Sequence, residues 1–142
     1  MKKNPGRTYL MARLPIAVSM FGHGLDRIPK LQEFSDHLVS QFNKSIIPVK
    51  LVSIFSTTLP FVELAIGILL IIGLFTRFAC VIGVMVMLAL ILGSCLIEQW
   101  DNVLSQMLYS LYFVMLYYYA FYNRYSFDRL ISREPNAKRH VL

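Results

Sequence analysis

The chain has 142 residues, a formal net charge of +6 and 56% hydrophobic residues. Charged residues make up 15% of the chain, against roughly 25% in an ordinary soluble domain. This composition excludes a disordered chain, a basic nucleic-acid-binding domain and a secreted disulfide scaffold. The length allows a single domain, residues 1–142, with room for four membrane spans of about 20 residues each.

Four stretches with few or no charges predict four transmembrane helices. Residues 78–97 and 102–123 carry no charged side chain, which gives runs of 20 and 22 residues. Residues 8–25 are interrupted only by Arg13, and residues 51–76 only by Glu63. Runs of about 18 or more such residues are typical of membrane spans. We therefore expect an all-helical membrane protein with spans near 8–28, 50–75, 77–98 and 102–124 and a basic tail at 125–142.

The distribution of basic residues predicts the orientation of these spans. With four spans both termini lie on one side, and Lys and Arg near helix ends favour the cytoplasm. The side with the termini holds ten of the 14 basic residues: Lys2, Lys3, Arg7, Arg13, Arg77, Arg124, Arg129, Arg133, Lys138 and Arg139. The opposite side holds the other four: Arg27, Lys30, Lys44 and Lys50. Both termini are therefore predicted to be cytoplasmic.

The segment from Pro29 to Pro48 joins the first two predicted spans. Its apolar residues recur at helical spacing: Leu31, Phe34, Leu38, Phe42 and Ile46. This pattern predicts a short amphipathic helix lying at the outer membrane interface. A helix that binds a partner protein is the alternative interpretation.

Glu63 is the most informative residue of the second predicted span, because a charge at mid-span is costly to insert. It must find a partner or stay protonated. Ser56 and Gly67 share its helix face, and Pro60 one turn earlier frees a backbone carbonyl. A ligand-binding or proton-relay role is one hypothesis.

The first and fourth spans carry further polar stripes. Ser19, His23, Arg27 and Lys30 follow helical spacing, with Asp26 beside them, and the fourth span carries Asn102, Gln106 and Tyr109. Counting 1.5 Å per residue places His23 and Tyr109 at similar depth and Glu63 one to two turns deeper. A polar cavity that opens outward between spans one, two and four is therefore geometrically feasible. Hydrogen bonds or ion pairs that only hold the helices together are the structural alternative.

Other chemistries find little support in the sequence. Cys80 and Cys95 lie 15 residues apart on one predicted helix, about 22 Å, which is too far for a disulfide. His23 is the only histidine predicted inside the membrane, so a bis-histidine haem lacks its second ligand. We expect no metal site. Small residues at Ala79/Gly83 and Ala89/Gly93 allow a close helix neighbour or a homo-oligomer.

The chain resembles the DoxX family of small bacterial membrane proteins. The resemblance is strongest in the pattern Glu63-Leu64-x-x-Gly67-x-Leu69-Leu70-x-x-Gly73-Leu74-x-Thr76-Arg77. Weaker matches are Arg13-Leu14, His23-Gly24 followed by Lys30-Leu31, and Ser126-Phe127-Asp128. The chain departs from the family pattern at two places. Gly93-Ser94-Cys95 stands where relatives often carry a histidine, and Phe121-Tyr122-Asn123 stands where they often have Gly-Pro-Gly.

The resemblance implies a four-helix bundle in the bacterial inner membrane. Some members of the family are subunits of quinone-linked redox complexes, including thiosulfate oxidation, and others accompany oxidative-stress enzymes. It also implies an inner-face motif of Arg13, Thr76, Arg77 and Asp128, in which we expect Arg77 to contact Asp128.

The leading hypothesis is a membrane subunit or anchor of a quinone-linked redox complex, serving sulfur or oxidative-stress chemistry. A polar intramembrane site would comprise His23, Asp26, Glu63, Gln106 and Tyr109. We expect the chain alone to bind no cofactor and to have no enzymatic activity. A quinone is the ligand that the resemblance implies for the complex. A redox partner protein, the lipid bilayer and further copies of the chain are the expected partners. Two alternatives are a proton-coupled small-molecule transporter and a purely structural assembly protein.

Overall fold

The computed structural model describes residues 4–131 of the chain, and every regular element in that part is helical. Five α-helices follow one another: α1 (Pro5–Arg27), α2 (Leu31–Gln41), α3 (Val49–Ile72), α4 (Thr76–Leu96) and α5 (Trp100–Tyr118). Short 3-10 turns occupy Ile28–Lys30 and Ala120–Tyr122. The all-helical prediction is confirmed. The expected tail beyond residue 131 lies outside the described residues, as do Lys2 and Lys3.

Helices α3 and α4 are long and apolar enough to cross a membrane, with mean hydropathy of 2.1 and 2.6 over their most apolar windows. Glu63 is the only charged residue in α3 after Lys50, and α4 has only Arg77 in its first turn. Helices α1 and α5 span 23 and 19 residues but carry more polar side chains. Within residues 4–131, two helices therefore meet the length and composition of a membrane span.

The helix ends follow local sequence signals. Asn4 caps α1 by accepting a hydrogen bond from the Arg7 backbone N–H at 3.4 Å, and Pro5 follows it at the first helical position. Gly73 ends α3 in the left-handed conformation, with φ of 70°. The tight turn that it opens makes α3 and α4 antiparallel neighbours.

Two elements are shorter than the sequence patterns predicted. Helix α2 ends at Gln41, and Ile46, which the amphipathic pattern included, is 87% exposed. The chain turns there instead, with the Ser45 N–H donating to the Phe42 carbonyl at 2.9 Å. Helix α5 ends at Tyr118 rather than near 124, and the turn that follows brings the half-buried Asn123 side chain to Arg13 and Thr76.

The packing is dominated by two helix pairs, α1 with α3 and α4 with α5. Glycines permit the closest approaches. A Cβ on Gly24 would lie 2.6 Å from the Pro60 carbonyl oxygen, and one on Gly83 would lie 2.6 Å from the Phe113 ring. Gly93 faces Phe42. Both glycines of α4 therefore pack against other parts of the same chain.

Candidate functional site

A cavity of about 1010 Å³ lies in the half of the protein away from Gly73. Its α3 lining comes from residues 51–63 and its α4 lining from residues 87–94, so the residues of both helices nearest the turn contribute nothing. Helix α2 contributes Phe34 and Leu38 to the wall, and Phe42 follows directly after the helix. Most of the lining is apolar, which is typical of small-molecule sites.

Glu63 and Arg27 form an ion pair on one wall of this cavity. Nη1 of Arg27 donates to both carboxylate oxygens of Glu63, at 2.8 and 2.6 Å. The Glu63 side chain is 3% exposed and that of Arg27 is 27% exposed. The Arg27 guanidinium also lies 4.8 Å from the centroid of the Phe34 ring, so the pair is tied to α2 as well.

His23 and Tyr109 lie beside each other on the same cavity, with ring centroids 6.4 Å apart. The hydroxyl groups of Tyr109 and Ser19 share a hydrogen bond of 2.5 Å. His23 itself is exposed, and its ring faces the cavity that Arg27 and Glu63 also line. Hydrogen-bonding groups from α1, α3 and α5 therefore converge on one apolar space.

Gln106 lines the cavity one turn before Tyr109, and its Nε2 donates to Ser94 Oγ at 2.9 Å. Its Oε1 is buried without a hydrogen-bond partner. Ser94 occupies the place where the family resemblance suggested a histidine, and it holds the Gln106 amide instead.

The structure thus brings together four of the five residues proposed from the sequence: His23, Glu63, Gln106 and Tyr109. Asp26 lies apart from the cavity lining and is exposed, with an ion pair of 3.2 Å to Lys30 on the protein surface. Arg27 is the residue that sequence reasoning left out of the site. Its position four residues after His23, on the same stripe, was the signal that pointed to it.

A second polar cluster joins the helix ends near Gly73. Arg13 is fully buried, and it donates to Asn123 Oδ1 at 2.7 Å and to the Tyr125 carbonyl at 3.1 Å. Asn123 Nδ2 in turn donates to the hydroxyl of Thr76 at 2.9 Å. The cluster connects α1, the start of α4 and the segment after α5.

Asp128 completes this cluster at the start of α4. Its carboxylate oxygens accept hydrogen bonds from the backbone N–H groups of Phe75, at 2.6 Å, and Thr76, at 3.0 Å. A carboxylate there satisfies free N–H groups at the first turn of α4 and complements the helix dipole. Arg77 is exposed, and it lines the same pocket as Asp128. The Arg77–Asp128 contact expected from the sequence stays a prediction.

The electrostatics at this end extend to Tyr125, which lies beyond the helices. Hydrogen bonds from the side chains of Arg7 and Asn4 hold the pKa of the exposed Tyr125 phenol below its usual range. Among residues 4–131, no three His, Cys, Asp or Glu side chains are placed to hold a metal ion.

These observations define a small helical protein with two helices long and apolar enough to span a membrane and with a mostly apolar cavity lined by a buried ion pair. The DoxX family model matches residues 8–94, which is more than half of the chain. The chain belongs to the DoxX family, a family of membrane proteins. The matched region includes Arg13, Glu63, Thr76 and Arg77, while Asp128 lies beyond it. No curated protein and no solved structure matches the chain.

Proposed function

We propose that the chain crosses the bacterial inner membrane four times, through α1, α3, α4 and α5, with both termini in the cytoplasm. Helix α5, the shortest of these at 19 residues, is about 28 Å long, close to the thickness of the hydrocarbon core of about 30 Å. Helices α1 and α5 pack along the two apolar helices. The ten-to-four division of basic residues supports the orientation. In this arrangement α2 lies at the outer interface and the cavity in the outer half.

Within this arrangement, the protein is a membrane subunit or anchor of a quinone-linked redox complex, and the outer cavity binds the quinone. The observation that carries this proposal is the placement of Arg27, Glu63, His23 and Tyr109 on one mostly apolar cavity. A quinone ring is apolar on its faces, and its two oxygens are hydrogen-bond acceptors. The cavity offers the complement of these features, namely apolar walls and hydrogen-bonding side chains such as Arg27 and His23, so the residues present fit the group.

The chain's own residues would bind and orient this ligand. Arg27 uses Nη1 for Glu63, which leaves its remaining guanidinium donors to address a ligand oxygen. His23, exposed to the cavity, supplies a second hydrogen-bonding group. When bound, the quinone supplies two-electron redox chemistry, and a partner protein exchanges electrons with it.

Binding of a water-soluble, tail-less benzoquinone to purified protein in lipid nanodiscs tests this proposal. We expect saturable binding to the wild type, and weaker binding to Glu63→Gln and His23→Ala. Glu33→Gln is the matched control, because Glu33 is an exposed acid of α2 outside the cavity lining. Absence of saturable binding to the wild type would contradict the quinone proposal.

Complementation of a deletion strain separates the alternatives. A quinone-linked role predicts that Glu63→Gln is inserted at normal abundance but fails to complement. A purely structural role predicts that any loss of complementation by Glu63→Gln follows a fall in membrane abundance. A proton-coupled transporter predicts loss of transport with quinone binding absent in all variants.

A further inference from the structure

The edges of the cavity between α3 and α4 are both apolar and exposed. On α3, Leu51 and Ile54 line the cavity and are 58% and 55% exposed. On α4, Ala89 is exposed and Leu92 is 62% exposed, and both also line the cavity. A side chain that both lines a cavity and remains exposed marks the mouth of that cavity.

The opening has a structural cause. Helices α3 and α4 are held together at the tight Gly73 turn. The lining residues nearest that turn are Glu63 on α3 and Met87 on α4, so the cavity lies away from it. The two helices pack mainly on other partners, α3 on α1 and α4 on α5. Between them the cavity is therefore walled by apolar side chains rather than closed by direct helix contact.

Thr58 is the polar exception on this edge, and its hydroxyl is already satisfied. The Thr58 hydroxyl donates to the Ile54 carbonyl at 2.8 Å, so it offers no unpaired donor to lipid. Glu63 on α3 and Ser94 on α4 also line the cavity but are buried, and most of the other polar lining residues lie on α1, α2 and α5. The mouth between α3 and α4 thus has the chemistry of a lipid-facing surface.

We propose that the cavity opens sideways into the bilayer between α3 and α4, and that the hydrocarbon tail of a lipid-soluble quinone lies in this opening. The inference rests on the proposed function, in which the ring sits near Arg27 and Glu63. The cavity volume of about 1010 Å³ is at the upper end of the range for small-molecule sites, about 300–1,000 Å³. A ring alone leaves most of that space unfilled, whereas a ring with the first part of a tail occupies it.

Blocking the mouth tests this inference without altering the polar wall. In nanodiscs at a fixed lipid ratio, Ala89→Trp should reduce binding of a long-tailed quinone by about tenfold. The indole ring would take up the space in which the tail lies, and forcing two groups into one such space costs about as much free energy as a tenfold loss of affinity. Binding of the tail-less benzoquinone should change by less than about twofold, because the ring site keeps its contacts. Leu88→Trp is the matched control, because Leu88 is exposed on the same helix but lies outside the lining.

A fluorescence measurement keeps the test decisive if Ala89→Trp folds poorly. Trp100 is the only tryptophan of the chain, so Trp100→Phe gives a silent background. In that background, a long-tailed quinone should quench Leu92→Trp saturably and Leu88→Trp only in proportion to its concentration in the lipid. Equal, non-saturable quenching at both positions would overturn the lateral opening, as would unchanged long-tailed binding in a folded Ala89→Trp. If the tail-less quinone still binds the wild type, the proposed function survives that result; if no quinone binds, both proposals fail.

Discussion

Arg27 reaches from the last turn of α1 to the carboxylate of Glu63 in the middle of α3, and one guanidinium nitrogen contacts both carboxylate oxygens. This contact explains how an acidic residue occupies an otherwise apolar helix. A buried carboxylate without a partner is strongly disfavoured, while a paired one is tolerated. Because Arg27 also lies over Phe34, the pair connects α1, α2 and α3.

The first prediction concerns this pair. Arg27→Met should lower the free energy of unfolding by about 3–5 kcal/mol, because it leaves the Glu63 carboxylate buried without its partner. The double variant Arg27→Met/Glu63→Met should recover most of that loss, since no uncompensated charge remains. Thermal unfolding of the purified variants in detergent measures both effects. A double variant less stable than Arg27→Met would contradict this account.

The positions of the helices could be predicted from the sequence because charge-free runs are a local property. The observed α3 and α4, Val49–Ile72 and Thr76–Leu96, lie close to the expected 50–75 and 77–98. The ends of α2 and α5 could not be predicted as well. The turn after α5 depends on a contact between Asn123 and the distant Arg13, and no local pattern reveals such a contact.

The candidate site shows the same division between local and tertiary information. Helical spacing identified His23 and Tyr109 as residues at similar depth, and the structure places their rings beside each other. Counting residues placed Glu63 deeper than the stripe of α1, which hid its pairing with Arg27. The long arginine side chain spans that difference in depth. Likewise, the sequence counted Arg13 among the basic residues on the side of the termini, and its full burial came only from the structure.

The second prediction concerns that buried Arg13. Arg13→Lys should destabilise the protein by about 2–3 kcal/mol, because an ammonium group cannot reproduce the planar set of donors that serves Asn123 and the Tyr125 carbonyl. Arg77→Lys is the control, since Arg77 is exposed and lies in the same region. Its unfolding midpoint should match that of the wild type. Equal midpoints for both lysine variants would show that Arg13 contributes only its charge.

The third prediction concerns Asp128 as the cap of α4. Asp128→Ala should cost about 0.5–2 kcal/mol, the usual effect of removing a helix cap, because the Phe75 and Thr76 N–H groups lose their acceptors. The double variant Arg77→Ala/Asp128→Ala completes a cycle that measures whether the expected Arg77–Asp128 contact adds to the cap. A coupling free energy above about 0.5 kcal/mol in this cycle would support that contact, and additive losses would show that Asp128 acts through the two N–H groups alone.

The last prediction compares two glycines of α1 that lie two residues apart. A Cβ on Gly24 would lie 2.6 Å from both the Leu64 nitrogen and the Pro60 oxygen, which are backbone atoms of α3 and cannot move aside easily. A Cβ on Gly22 would meet no atom within 4 Å. Gly24→Ala should therefore separate α1 from α3 and lower the unfolding midpoint.

Gly22→Ala should leave the midpoint unchanged or raise it, since alanine favours a helix over glycine by about 1 kcal/mol. The Gly24 variant should also weaken binding of the tail-less benzoquinone, because the Arg27–Glu63 contact depends on the same close approach of α1 and α3. Midpoints and binding of the two alanine variants, measured side by side in nanodiscs, provide the check. A Gly24→Ala protein as stable as Gly22→Ala would mean that α1 and α3 are not packed as closely as the structure shows.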